Sequence, residues 1–230
     1  MPYTFDLPTL NLKFECAPPQ AILEWAAREF GDRVVVSSSF QTQSVALLHL
    51  ISQAAPQMRV IFVDTGYHFP ETLAYRDQLI DLLGINVVTV TAEKRQDFDA
   101  EGSRLHRVNP DLCCALHKTA PMSRALADCD AWISGIRRDQ TATRRQALPI
   151  ERQADGLYKV NALLNWTSRD LWTYINRNDL PSHPLFSQGY ASIGCAPCTR
   201  AIQAGEDERA GRWAGQGKLE CGLHTADIRA

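Results

Sequence analysis

The stretch Val34-Val35-Val36-Ser37-Ser38-Ser39-Phe40 joins three β-branched apolar residues to three hydroxyls. A short apolar run of this kind predicts a buried strand, because β-branched side chains pack well in sheets. The apolar spacing that follows, at positions 45, 47, 48 and 51, predicts a helix over residues 44–53. A strand, a polar turn and a helix in this order form the beginning of a βαβ unit.

The same alternation continues along the chain. Apolar runs predict further strands at 60–63, 86–90 and 132–135, and helical spacing predicts helices at 19–30, 70–83, 118–127 and 168–178. We therefore expect an α/β protein with a parallel sheet and helices on both faces. From residue 180 onward Pro and Gly are frequent, which predicts an irregular C-terminal segment that folds back onto the sheet.

Composition excludes several classes of protein. The 230 residues are 45% apolar and 22% charged, as in ordinary globular domains rather than disordered or fibrous chains. A net charge of −2 argues against a nucleic-acid partner. No apolar run reaches the roughly 20 residues of a membrane span, and the start of the chain has no export signal. We expect a cytoplasmic protein with no membrane partner.

Polar and basic side chains follow three of the predicted strands, in the loops 37–43, 64–68 and 135–145. Because ligands of open α/β sheets bind outside the carboxyl ends of the strands, these loops are the candidate ligand site. The serines of the first loop can bind an anion at a helix N-terminus, or they can simply cap that helix.

The third loop is rich in arginine: Arg137, Arg138, Arg144 and Arg145. Guanidinium groups match phosphate and sulfate in a bidentate manner. Ion pairs with Asp139 and Glu151 on a solvated surface are the alternative. The position of the loop directly after a core strand favours anion binding.

Four of the seven cysteines form two pairs, Cys113-Cys114 and Cys195-Ala-Pro-Cys198. An odd number of cysteines without an export signal favours metal binding or redox chemistry over disulfides. Four thiolates can hold zinc or an iron–sulfur cluster, and the spacing leaves both open, with buried unliganded thiols as a third alternative. Cys16 and Cys129 have no thiol neighbour in sequence and are predicted to be packing or surface residues.

Cys221 lies near the C-terminus between Lys218 and His224. Cations close to a thiol favour the thiolate, which is the nucleophilic form. Gly222 would let this segment bend towards a site elsewhere. A tail thiol without function is the alternative that the local sequence leaves open.

These motifs together resemble the assimilatory sulfonucleotide reductases, which reduce adenylyl sulfate or its 3′-phosphorylated form. The resemblance extends over most of the chain, from about residue 21 to residue 224. It also rests on the stretches Asp64-Thr-Gly-Tyr-His-Phe-Pro-Glu71, Trp166-Thr-Ser168, Glu208-Arg-Ala-Gly-Arg-Trp213 and Glu220-Cys-Gly-Leu-His224. It implies a Rossmann-like fold of the adenine nucleotide alpha hydrolase type, and the two cysteine pairs look like those of the cluster-bearing branch.

The resemblance also implies roles for individual residues. Cys113, Cys114, Cys195 and Cys198 would hold a [4Fe–4S] cluster, Cys221 would be the catalytic nucleophile, and Lys118 would lie between cluster and substrate. Arg144, Arg209 and Arg212 would bind the phosphosulfate. The other substrate-binding candidates are Ser37, Ser38, Ser39, Thr65, Gly66, Gly135, Arg137, Arg138 and His224. Gln41 departs from the family, which usually has glycine after the serine-rich loop.

The activity implied is the reduction of adenylyl sulfate to sulfite and AMP through an S-sulfocysteine, in sulfate assimilation and cysteine biosynthesis. Thioredoxin or glutaredoxin would supply the electrons. The stretch 66–71 looks more like the branch that uses the phosphorylated nucleotide, so that activity or a dual specificity is the first alternative.

Two other classes are less compatible with the sequence. An ATP-dependent sulfurtransferase would carry a glycine-rich loop, whereas residues 37–44 contain no glycine. A non-enzymatic iron–sulfur or zinc sensor leaves the arginine loop unexplained. We expect a reductase domain over 1–217 and a mobile tail carrying the nucleophile over 218–230, and the chain is compatible with a homo-oligomer.

Overall fold

Six strands form one sheet in the computed structural model, which describes residues 3–218, 220–223 and 228. The strands are β1 (Val34–Ser37), β2 (Arg59–Val63), β3 (Asn86–Val90), β4 (Ala131–Ile133), β5 (Ile150–Arg152) and β6 (Tyr158–Val160). Their spatial order is β3-β2-β1-β4-β6-β5. β1, β2, β3, β4 and β6 run parallel, so their carboxyl ends meet at one edge of the sheet.

The predicted α/β architecture is confirmed, with one difference at the sheet edge. β5 pairs antiparallel with β6, with Ile150 opposite Val160. The sequence patterns did not predict these two strands, because charged residues interrupt their three-residue runs, Ile150-Glu-Arg152 and Tyr158-Lys-Val160, whereas the equally short β4 is apolar throughout. An antiparallel edge strand on an otherwise parallel sheet is common in folds of this type.

Helices cover both faces of the sheet. Their bounds are α1 (Leu7–Phe14), α2 (Pro19–Phe30), α3 (Ser44–Ala54), α4 (Pro70–Leu83), α5 (Leu105–Val108), α6 (Pro110–Cys114), α7 (Ala120–Ala125) and α8 (Ser168–Arg177). The buried residues of α2, α3, α4 and α8 share one apolar core with one face of the sheet. Met122 of α7 packs with Val35, Ile61 and Trp132 in a second core on the other face.

The helix predicted over 118–127 is part of a longer, irregular helical run. α6 passes into a π-helical turn at Ala115–Thr119, and α7 follows it. Pro121, near the start of α7, has no N–H to donate to the preceding turn, which accounts for the irregularity. The turn links Cys114 directly to Lys118.

The N-terminal helix α1 covers the edge of the sheet at β5. The side-chain amide of Asn11 donates to the carbonyl oxygen of Ile150 at 2.9 Å and accepts from its backbone N–H at 2.7 Å. The side chain of Asn11 thus forms the two backbone hydrogen bonds that a further strand would form with Ile150. None of the helices in the described part of the chain combines the length and the apolar content that a bilayer crossing requires.

The segment after residue 180 folds back onto the carboxyl edge, as predicted. The backbone N–H of Ala196 donates to the carbonyl of Tyr67 at 2.7 Å, and that of Ile193 donates to Gln41 Oε1 at 3.2 Å. Of the predicted tail, the structure describes residues 218, 220–223 and 228, and Ile228 is buried in the second core. The mobility of this tail stays a prediction.

Candidate active site

A cavity of about 410 Å³ opens at the carboxyl edge of the sheet. The loops after β1 and β4 and the C-terminal segment form its walls. Residues predicted from distant parts of the sequence line it together: Ser37, Ser38, Ser39, Thr65, Lys118, Gly135, Arg137, Arg144, Arg209, Arg212 and Cys221.

Two predicted substrate-binding residues of the described chain do not line the cavity, and a third is not described. Arg138 is directed to Glu15, with Nη1 2.5 Å from Oε1, and to the carbonyl of Ala147. Gly66 adopts a φ of +69°, and a Cβ there would overlap the guanidinium of Arg95. His224 lies outside the described residues.

The serine-rich loop is held by its own hydrogen bonds. Ser38 Oγ accepts from the backbone N–H of Phe40 at 3.1 Å, and Ser37 Oγ accepts from Trp132 Nε1 at 2.8 Å. Phe40 is fully buried at a φ of +50°, which lies in the left-handed region. Gln41 ties the loop to Ile193, whose backbone N–H donates to its Oε1. The loop lines the cavity at the start of α3.

Three buried arginines surround the other end of the cavity. Arg137 is engaged by Asp139 at 2.9 Å and Gln43 at 2.6 Å. Burial lowers the pKa of both Arg144 and Arg212, because their charges are poorly hydrated. The Nε atoms of these two arginines have no hydrogen-bond partner within the described part of the chain. Buried donors without an acceptor indicate a site for an anion.

Gly194 places Arg212 against the backbone. A Cβ at position 194 would overlap the guanidinium group of Arg212, so the close approach requires glycine. Nη1 of the same arginine donates to the carbonyl of Ile193 at 2.9 Å. No role was assigned to Gly194 from sequence, although it belongs to the stretch that carries Cys195.

The four paired cysteines line a second, smaller cavity next to the first: Cys113, Cys114, Cys195 and Cys198. Thr65 and Lys118 line both cavities, and Thr65 Oγ1 lies 3.3 Å from Cys195 Sγ. Burial, together with the other cysteines, raises the pKa of Cys113 to about 12. A site where thiolates destabilise one another fits a cationic metal group shared by all four.

The four thiols line one common cavity, as ligands of a shared metal group would. Within the described residues, no three His, Cys, Asp or Glu side chains already converge on one point. Four thiolates can hold either zinc or an iron–sulfur cluster.

Lys118 connects the two cavities. Burial opposes its charge, but the thiolates of Cys195, Cys221 and Cys114 outweigh this effect and raise its pKa. The ammonium group therefore stays protonated throughout the physiological range. This is the place between cysteine pairs and substrate cavity that the resemblance implies.

Cys221 is half-buried and faces the substrate cavity. Gly222 adopts a φ of +92°, which allows the bend expected there. Lys218 pairs with Asp111. Cations of other elements, Lys118, Arg144 and Arg212, line the same cavity as Cys221. The predicted contribution of His224 to activation of the thiol lies outside the described residues.

Glu220 is a site residue to which the sequence analysis assigned no role. Its carboxylate lies 2.9 Å from Arg144 Nη2 and 3.5 Å from Arg209 Nη2. Its place next to Cys221 within the stretch 220–224 was the available signal.

Known proteins match the chain over most of its length. The family description "Phosphoadenosine phosphosulfate reductase domain" matches residues 33–201. An adenosine 5′-phosphosulfate reductase of Streptomyces coelicolor is 46% identical, covering 92% of this chain and 90% of the relative. A phosphoadenosine 5′-phosphosulfate reductase of Gloeobacter violaceus is 42% identical, covering 94% and 92%.

A solved structure agrees with this. The phosphoadenylyl-sulfate reductase of Candida auris, in a phosphate complex, superimposes with a TM-score of 0.73 at 25% identity. The match covers 86% of this chain and 98% of that chain.

Proposed function

The chain belongs to the phosphoadenosine phosphosulfate reductase family, and from this premise we propose that it reduces adenylyl sulfate to sulfite and AMP with Cys221 as nucleophile. The observation that carries the proposal is that Cys221 shares one cavity with Lys118, Arg144 and Arg212. The name of the Streptomyces coelicolor relative supports the substrate.

The cavity suits a nucleotide with an anionic end. Its volume of about 410 Å³ lies in the range of small-molecule sites. The serine-rich loop and Gly135 hold the nucleotide at one end, near the N-terminus of α3. Arg212 and Lys118 hold the phosphosulfate at the other end, where buried cations stabilise the charge that develops on the leaving phosphate.

The first step is a thiol displacement. The Cys221 thiolate attacks the sulfur of the sulfate group, a sulfur–sulfur bond forms, and the bond from that sulfur to the bridging oxygen breaks. AMP leaves with the electron pair of the broken bond. The enzyme retains an S-sulfocysteine at position 221.

The second step requires a dithiol donor, for which we propose thioredoxin or glutaredoxin. A donor thiolate attacks Cys221 Sγ and expels sulfite, leaving a mixed disulfide. The second donor thiol then releases the Cys221 thiolate, and the donor departs as a disulfide with two electrons transferred. A mobile tail over 218–230, joined to a reductase domain over 1–217, would present the adduct to this protein. Thioredoxin use places the reaction in a reducing cytoplasm.

We assign a [4Fe–4S] cluster to Cys113, Cys114, Cys195 and Cys198, which line the second cavity. When bound, it would supply a fixed charge and a rigid frame for the elements that carry these cysteines. The residues of this chain bind and orient the substrate and carry out the displacements. The cluster would not need to change its oxidation state, because each displacement moves electrons in pairs.

The phosphorylated nucleotide is the second candidate substrate. The Gloeobacter violaceus relative, 42% identical, is named for it. The ratio of kcat/KM for adenylyl sulfate and its 3′-phosphorylated form, measured with thioredoxin, decides between them. A clear preference for the phosphorylated compound would reject our choice of substrate.

The adduct itself tests the mechanism. Protein incubated with adenylyl sulfate but no thioredoxin should gain the mass of SO₃ on the peptide that contains Cys221. Cys221→Ser should bind nucleotide and produce no sulfite. An adduct on another cysteine, or appreciable turnover by Cys221→Ser, would contradict the mechanism.

A further inference from the structure

Among the described residues of the C-terminal tail, Glu220 forms the most buried ion pair with the body of the protein. The side chains of Glu220 and Arg144 are each 10% exposed, and their charged atoms lie 2.9 Å apart. Arg209 Nη2 lies 3.5 Å from the same carboxylate oxygen, and Thr141 Oγ1 donates to the other at 3.5 Å.

Few other polar contacts tie this part of the tail. Within the described residues, the other ion pair of 218 and 220–223 joins Lys218 to Asp111, whose side chain is 83% exposed. Lys218 Nζ also lies 5.8 Å from the ring centre of Trp213. An ion pair to an exposed carboxylate contributes little, because water screens it and both side chains lose entropy. The pair of Glu220 with Arg144 is shielded from water, so its attraction is stronger.

This contact limits where Cys221 can be. Consecutive Cα atoms are about 3.8 Å apart, so a fixed residue 220 keeps the Cα of residue 221 within that distance. Cys221 itself has no hydrogen bond among the described residues, and its thiol faces the cavity. Leu223 packs against the second core, and the ion pair of Glu220 is the buried polar contact next to the nucleophile.

The cations of the site then divide into two sets. Arg144 and Arg209 face Glu220, whereas Arg212 pairs with no carboxylate of the described chain and donates to the carbonyl of Ile193. Lys118 faces thiols rather than a carboxylate. With the tail in place, Arg212 and Lys118 remain for the anionic end of the substrate.

We propose that Glu220 is a positioning residue, which docks the tail on Arg144 and Arg209 and thereby sets the Cys221 thiol at the cavity. This inference rests on the proposed role of Cys221 as nucleophile. It assigns Arg144 to the tail, where the resemblance assigned it to the phosphosulfate.

The test compares the full-length wild type with Glu220→Gln, which has nearly the same shape without the charge, and with Glu220→Asp, which keeps the charge. Glu29→Gln is the matched control, because Glu29 also pairs with an arginine, Arg28, but lies away from the site. Three quantities are measured on each: adduct formation in a single turnover without thioredoxin, the Kd of AMP, and alkylation of Cys221 by iodoacetamide against pH.

We expect Glu220→Gln to slow adduct formation about 10- to 100-fold, because a small displacement of a nucleophile is that costly. The Kd of AMP should change less than about threefold. The limiting alkylation rate at high pH should rise several-fold, because the thiol is no longer held. Loss of a nearby charge alone would shift the midpoint of the profile and leave the limiting rate unchanged. Glu220→Asp should lie between, and Glu29→Gln should match the wild type.

The proposal would be overturned if Glu220→Gln formed the adduct at the wild-type rate and its Cys221 had the wild-type limiting rate of alkylation. Markedly tighter AMP binding without slower adduct formation would also overturn it, since Glu220 would then be a competitor for the substrate anion. If the wild type itself forms no adduct, the proposed function fails, while the alkylation profiles with no substrate still decide whether Glu220 holds the tail.

Discussion

Lys118 has cysteine thiols around it and opens onto the substrate cavity, so its charge serves two purposes at once. It balances thiolate charge, and in the proposed function it would also place a cation at the anionic end of the nucleotide. The thiolates around it outweigh burial and raise its pKa. Lys118 should therefore stay protonated up to about pH 10, and deprotonation of this residue should cause no loss of activity below that pH.

Lys118→Gln should therefore slow adduct formation about 100-fold, since it removes one charge from a site shielded from water. Lys118→Arg should recover part of the rate, because it restores charge with a different shape. Single-turnover mass spectrometry measures both. Equal rates of adduct formation in Lys118→Gln and Lys118→Arg would show that the charge at position 118 does not determine the rate.

Gly194→Ala tests the placement of Arg212. The added methyl group would displace the guanidinium, so we expect the Kd of AMP or adenylyl sulfate to rise about tenfold while the iron content is kept. Gly205→Ala is the control, because a Cβ there meets no other atom within 4 Å. Its φ of +88° adds a backbone strain that position 194 lacks, so wild-type binding by this variant would show that strain elsewhere does not weaken binding. Unchanged binding by Gly194→Ala would show that Arg212 has room to move without loss.

At the scale of elements, a buried histidine organises the start of the C-terminal segment. Nδ1 of His183 accepts from the backbone N–H of Leu185 at 3.1 Å, and Nε2 lies 3.0 Å from Thr72 Oγ1 on α4. Burial lowers the pKa of His183 to about 4, against a smaller opposing effect of Glu71. The histidine is therefore neutral in the folded protein and joins the segment to α4.

This predicts a specific acid sensitivity. Below pH 6.5 the unfolded chain takes up a proton at position 183 that the folded chain refuses until about pH 4. The stabilisation is thus present above pH 6.5 and is lost as the pH falls towards 4, by up to about 3 kcal/mol. His183→Gln should show a smaller fall in the free energy of unfolding between pH 7 and 4.5, measured by urea titration. An equal fall in both proteins would contradict this.

The elements also show what sequence patterns can predict. The helices 19–30 and 70–83 were predicted to the residue, because proline at the start, glycine at the end and apolar spacing agree there. The strand 86–90 was predicted to the residue from its β-branched run. Charged residues interrupt the short runs of β5 and β6, and the π-helical turn depends on a proline that a helical pattern tolerates. In the site, residues with distinctive chemistry were predicted, whereas Glu220 and Gly194 act through contacts that only the folded chain shows.

Over the whole molecule, the two cysteine pairs join segments far apart in sequence. Cys113 and Cys114 belong to α6, and Cys195 and Cys198 to the segment that also carries Arg212. A group bound by all four would hold the C-terminal segment on the sheet. Loss of this group should therefore disturb the larger cavity, which Arg212 lines, as well as the smaller cavity lined by the four cysteines.

We expect anaerobically purified protein to be brown, with about four iron and four sulfide per chain. Serine at any of the four positions should remove iron and lower the melting temperature, whereas Cys16→Ser and Cys129→Ser should keep both. Iron and sulfide analysis with thermal unfolding measures this. Colourless protein with one zinc per chain would reject the cluster.

Asn11 has a consequence for the behaviour of the protein in concentrated solution. By occupying the backbone of Ile150 at β5, it closes one of the two places where the sheet could grow by adding a strand from another molecule. Growth by strand addition is then directed to β3, whose outer side pairs with no strand of the described chain. Two molecules that pair through β3 leave no open edge, so strand addition ends at a dimer. Asn11→Ala should open the edge at β5 as well, so that further molecules can add. Light scattering on mild heating should then show faster aggregation than in the wild type.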